Sequence, residues 1–210
     1  MEFIDKIYTK INASYFAFIG LIIFFIGLIP AILVHPSFSF FETHISHLGG
    51  PTNALYIFFN VFWFITAIFI ILFMLGFTLY LQEKGLTKKG TWIMFILAFL
   101  SAIGIMGMAI FNTEEAYTNH FIFELVFFFT GILYLFGYAV LENKAKIFSK
   151  WQILFNIIVA AFFILYLILL VLNRVSPGLA PEFQSFAEWL FLFANLFWFF
   201  ENGVLMLRKK

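Results

Sequence analysis

The 210-residue chain is 64% hydrophobic and only 11% charged, whereas soluble domains carry about 25% charged residues, so its composition excludes a water-facing globular surface. A net charge of +1 offers no bulk attraction to nucleic acid, and no nucleic-acid partner is expected. The lack of cysteine removes disulfides, thiolate metal ligands and cysteine nucleophiles.

In chain order, apolar runs of about twenty residues, the length that crosses the hydrocarbon core, predict spans at about 14–34, 54–81, 92–111, 120–141, 153–172 and 187–207. The first run, Ser14 to Val34, follows Lys6 and Lys10. It is too long for a signal-peptide core and has no small-residue cleavage site, so it reads as a retained helix. Gly49, Gly50 and Pro51 break the chain before the second span, with Thr52 or Asn53 as its cap. Gly85 and Gly90 mark the next turn, and Thr118 or Asn119 is expected to cap the fourth span. Pro177, Gly178 and Pro181 precede the sixth. Short connections place successive helices side by side and antiparallel. The predicted fold is all-α: a polytopic membrane protein with six transmembrane helices in one antiparallel up-and-down bundle, residues 1–210 forming a single unit.

Orientation follows from the basic residues. Lys6 and Lys10, then Lys84, Lys88 and Lys89, then Lys144, Lys146 and Lys150, and finally Arg208, Lys209 and Lys210 all fall on one side. Only Arg174 falls on the other. The positive-inside rule makes the lysine side cytoplasmic and places both termini there, in a multi-pass protein of the cell membrane.

The chemistry gathers at the opposite face. His35 ends the first span, His44 and His47 lie in the first loop, and His120 opens the fourth span, joined by Glu42, Glu114, Glu115, Glu124, Glu182 and Glu188. His120 and Glu124 are four apart and share a helix face. Imidazole and carboxylate together suit zinc, with His44 or His47 completing the set, so His44, His47, His120 and Glu124 are the candidate ligands of a divalent metal. Such a metal could activate water at neutral pH. No histidine lies deep enough for a haem, and no cofactor-binding fingerprint or phosphate loop occurs. A stripe on the sixth span, Glu188, Asn195 and Asn202, is joined by Asn60 and Asn156 from other spans. Polar groups at membrane depth face the bundle interior or a cavity. Asn60, Glu188 and Asn195 are therefore expected to line a cavity open to the outside, while Asn156 and Asn202 are expected to tie helices together. Gly104 and Gly107, with Ser101, are expected to let a neighbouring helix approach closely.

Ile45-Ser46-His47-Leu48-Gly49, followed by Phe59-Asn60, the glycine-bearing Gly104-Ile105-Met106-Gly107, and His120 ahead of Phe128 and Gly131 together resemble domain-of-unknown-function family 998. The resemblance implies a membrane protein of about six spans, loosely related to Frag-, Sfk- and DRAM-type proteins. It supplies no reaction, although some of those looser relatives are linked to lipid-anchor remodelling. At His47 the chain departs from the family, whose typical loop has an acidic residue or asparagine.

The expected function is metal-dependent hydrolysis or remodelling of a lipid or amphiphile, with Glu124 and Glu188 as catalytic carboxylates. The alternative is a non-catalytic bundle that binds a lipid or partner, and a small transporter ranks third because Pro30 is the one interior helix breaker.

Overall fold

A computed structural model describes residues 8, 10–146, 148–176 and 181–208, without the side chains of Pro181, Glu182 and Arg208. Lys6, Pro177, Gly178, Lys209 and Lys210 lie outside the described residues. The chain forms α1 (Ser14–Val34), the single turn α2 (Ile45–Leu48), α3 (Tyr56–Glu83), α4 (Lys88–Ile110), α5 (Tyr117–Ala145), α6 (Lys150–Val175) and α7 (Pro181–Arg208). No strand occurs among the described residues. Six of these helices are long and apolar enough to cross a membrane, and the protein is a multi-pass helical membrane bundle.

Each long helix packs on its successor, α1 on α3, α3 on α4, and so on to α6 on α7, and α7 packs back on α1. The bundle is thus a closed ring. One end carries Lys84, Lys88, Lys89, Lys144, Lys146 and Lys150, and is called the lysine end below. The other carries all four histidines and is the histidine end. The core inside the ring is aromatic. Phe77, Tyr138 and Trp198 fill its lysine-end half, and Phe127, Phe128, Phe163, Tyr166 and Phe191 fill the half nearer the histidines.

Helix ends follow local chemistry in part. Thr87 caps α4 by accepting from Gly90 N, and Ser149 caps α6 by accepting from Gln152 N. The caps expected before α3 and α5 are not used as such. α3 starts three residues beyond Asn53, whose Oδ1 accepts from Leu55 N at 2.9 Å while its Nδ2 donates to Ala31 O at 2.9 Å. That second bond draws Asn53 away to brace the end of α1. α5 starts at Tyr117, ahead of Thr118 and Asn119, and its cap Ala116 offers no side chain. The preceding turn is closed instead by Asn112, whose Oδ1 accepts from the backbone of Glu114 and Glu115.

At the lysine end, side-chain amides tie three helices. Trp198 Nε1 donates to Asn156 Oδ1 at 2.5 Å, and Asn156 Nδ2 donates to Glu142 at 2.8 Å. Gln152 Nε2 donates to Asn202 Oδ1 at 3.3 Å. Without water, such groups must find partners in the protein, and here they join α5, α6 and α7.

α4 meets α5 through Gly104 and Gly107, and Ser101 Oγ donates to Phe127 O at 3.1 Å. A Cβ on Gly104 would stand 2.8 Å from both the carbonyl of Phe123 and the backbone nitrogen of Phe127. Backbone cannot step aside as a flexible side-chain tip can, so the two helices would have to separate. Overpacking of this kind costs about 1–3 kcal/mol or more. Gly104→Val is therefore expected to lower the thermal unfolding midpoint in detergent by several degrees, whereas Leu100→Val, at a site 39% exposed, should leave it nearly unchanged. Equal midpoints for the two variants would refute the close-packed seam.

Candidate functional site

The segment between α1 and α3 lies back over the histidine end, held at four points. Trp189 Nε1 on α7 donates to Thr43 O at 2.8 Å. Asn60 Nδ2 on α3 donates to Gly49 O at 2.9 Å. Thr52 Oγ1 donates to Glu114 at 2.7 Å, and Asn53 braces α1 as described above. Gly49 and Gly50 make this possible, because a Cβ on the first would strike the Asn60 amide and one on the second the Glu114 carboxylate. These contacts fix α2 and its flanking histidines in place.

The fifth contact is chemical. His44 Nδ1 meets Glu188 Oε2 at 2.5 Å, with Glu188 7% and His44 20% exposed. Burial pulls the His44 pKa down, but the Glu188 charge and its hydrogen bond outweigh burial, and the net shift is upward from 6.5. His47, 5.2 Å away between ring centroids, is shifted the other way, by burial and then by the neighbouring His44 charge. The two loop histidines are therefore shifted in opposite directions, His44 up and His47 down.

Beneath this loop lies a polar vestibule of about 570 Å³. The loop contributes His35, His44, Ser46 and His47; α5 contributes Tyr117, His120 and Glu124; α6 contributes Tyr166. Glu114 and Gln184 close its sides. Next to it, within the ring, is an apolar slot of about 40 Å³ lined by residues such as Phe24, Ile105, Met108, Phe128 and Leu192, with Glu188 and Asn195 on its wall. Ser46, His120 and Glu124 border both spaces.

Of the residues singled out from sequence, His44, His47, His120 and Glu124 all reach the vestibule wall, and Glu188 and Asn195 reach the slot. Asn60 borders neither space; its amide is spent on the loop. The four candidate metal ligands do not draw into a coordination shell, and among the described residues no three His, Asp or Glu side chains converge as a metal site requires. Their atoms are engaged elsewhere. His44 faces Glu188, His120 Nδ1 donates to Phe111 O at 2.6 Å, and Glu124 Oε1 accepts from Tyr166 OH at 2.8 Å. His120 and Glu124 share a face as their spacing requires, yet each is held by a different partner. Sequence reasoning missed Tyr166, Ser46 and Trp189. Tyr166 is a lone hydroxyl in the fifth apolar span, the one signal that could have marked it.

The sequence model of the family described as "Protein of unknown function (DUF998)" matches residues 18–199. No curated protein and no solved structure matches the chain. The match says nothing of kinship with Frag-, Sfk- or DRAM-type proteins.

Because its folded pKa is raised, the His44 pair stabilises the docked loop fully below the unfolded value near 6.5, and this contribution is lost as pH rises through the raised folded value. Glu188→Gln removes the charge that lifts it. In ¹⁵N-histidine NMR titrations, His44 should titrate above about 6.5 in the parent protein and fall to or below it in E188Q. An unmoved His44 titration in E188Q would show that the pair is not formed.

Proposed function

We propose that this chain, which belongs to the DUF998 family of proteins of unknown function, binds a single-chain lipid or other amphiphile at the histidine end of the bundle. The headgroup occupies the vestibule, and the first carbons of the chain enter the slot between α1, α3, α4, α5 and α7. The observation that carries this reading is the juxtaposition of a polar and an apolar space with Ser46, His120 and Glu124 on the border of both. Ligand sites are characteristically apolar cavities with a few placed polar groups. A ligand polar at one end and apolar at the other matches both compartments at once.

The protein sits in the cell membrane with its lysine end and both termini in the cytoplasm, a reading supported by the bias of basic residues. The vestibule then faces outward. A second reading, hydrolysis or remodelling of the bound amphiphile, is favoured by the His44–Glu188 pair, since an imidazole oriented by a carboxylate suits proton transfer. In that reading Glu188 and His44 act as one acid–base unit and Glu124, held by Tyr166, as the other. No step is assigned to zinc, because among the described residues no three His, Asp or Glu side chains converge. Stoichiometric zinc in the purified protein that disappears in His120→Ala would restore the metal reading.

Two measurements test these proposals. The chain has no cysteine, so single cysteines introduced at the exposed positions Glu42 and Lys88 report topology without background. An impermeant thiol reagent applied to intact cells should label E42C and spare K88C; the reverse pattern would invert the orientation. For binding, Met108→Phe fills the slot, while Ile110→Phe lies on a lipid-facing position that is 62% exposed. Native mass spectrometry with dodecanol should show affinity lost by about tenfold or more in M108F, equivalent to about 1.4 kcal/mol, and retained in I110F. Equal binding by both variants would place the alcohol in the surrounding lipid. Recovery of the amphiphile unchanged would favour binding, and its conversion would favour the second reading.

A further inference from the structure

The walls of the two compartments are rich in hydrogen-bond acceptors and carry no lysine or arginine. Glu124 spends one oxygen on Tyr166 and borders both spaces with its carboxylate. His120, 4% exposed, gives its Nδ1 hydrogen to Phe111 O and borders both spaces. Asn195 is 5% exposed on the slot wall, and its Oδ1 has no hydrogen-bond partner among the described residues. Glu114 adds a second carboxylate at the vestibule rim. Arg174, the one described basic residue near this end, lies with its guanidinium 4.1 Å from the Phe121 ring centroid and 4.7 Å from that of Tyr117 and is absent from the wall.

Building on the amphiphile reading, we propose that the ligand is a single-chain amphiphile with a protonated amine head, an alkylammonium, rather than an anionic or merely hydroxylic one. The ammonium group brings the three N–H donors and the positive charge that this wall lacks. It pairs with Glu124 at the border of the two spaces, beside His120, which borders both as well. An anionic head would meet Glu114 and Glu124 with no lysine or arginine on the wall to receive it. His44, the nearest candidate, is already matched to Glu188.

The test uses the full chain in zwitterionic nanodiscs and three probes with the same chain length: dodecylamine, dodecanol and laurate. Native mass spectrometry at matched membrane concentrations should rank dodecylammonium at least about tenfold above both others. Glu124→Gln should erase most of that preference, lowering dodecylammonium binding far more than dodecanol binding. If E124Q does not fold, Glu114→Gln takes its place, with a several-fold loss expected for the amine alone. Laurate or dodecanol binding within about threefold of the amine, or amine binding unchanged in the folded variant, would overturn the headgroup assignment while leaving the amphiphile reading in place. Binding of all three probes that Met108→Phe does not reduce would overturn both.

Discussion

A carboxylate on a membrane-spanning helix needs a counter-charge or a proton, because ionised groups are costly in a low-dielectric interior. Glu188 lies one turn inside the membrane-spanning part of α7, and its partner His44 comes from the first loop, outside every span. That pairing fixes where the loop must lie. Once His44 is drawn to α7, Thr43 reaches Trp189, Gly49 reaches Asn60, and Thr52 reaches Glu114. The vestibule is the space left between this pinned loop and the upper turns of α5 and α6. Without the pair, the loop would keep only neutral hydrogen bonds and one contact to an exposed rim carboxylate, each contributing modestly in net terms.

The two ends of the bundle use polar residues in opposite ways. At the lysine end, Gln152, Asn156, Trp198 and Asn202 are satisfied by one another or by Glu142, and the arrangement joins helices. At the histidine end, the same residue types border open volume, and acceptors remain over. Amide chemistry alone does not separate the two cases. Asn156 and Asn195 lie on neighbouring helices of one aromatic core, yet one is consumed by an indole while the other faces a slot.

The helical membrane fold was legible because hydrophobic runs of span length and the alternation of basic loops are one-dimensional signals. The histidine end was legible as a location for the same reason: charges and imidazoles stand out against phenylalanine. Which groups pair was not legible. The four-residue spacing of His120 and Glu124 placed them on one face, but spacing cannot see that Phe111 O claims the imidazole and Tyr166 the carboxylate. Asn60 misled for a related reason. Its depth suggested a cavity, and only the folded loop shows that Gly49 brings a carbonyl close enough to take its amide hydrogen. Pairings of this kind depend on how far each helix is rotated about its axis, and a chain with phenylalanine on every face leaves that rotation unmarked in sequence.

The ring closes between its first and last long helices, and the His44–Glu188 contact spans 144 positions of sequence. Chains are made from the amino end, so His44 leaves the ribosome long before Glu188 exists. Five spans can enter the bilayer while the loop has no charged partner on α7 and no indole to hold Thr43. The vestibule therefore forms last, as α7 inserts and brings its carboxylate to an imidazole already waiting at the surface. A chain that stops before α7 retains most of its apolar spans but lacks the carboxylate and indole that pin the loop, which makes the completed pocket a chemical record that α7 has been made.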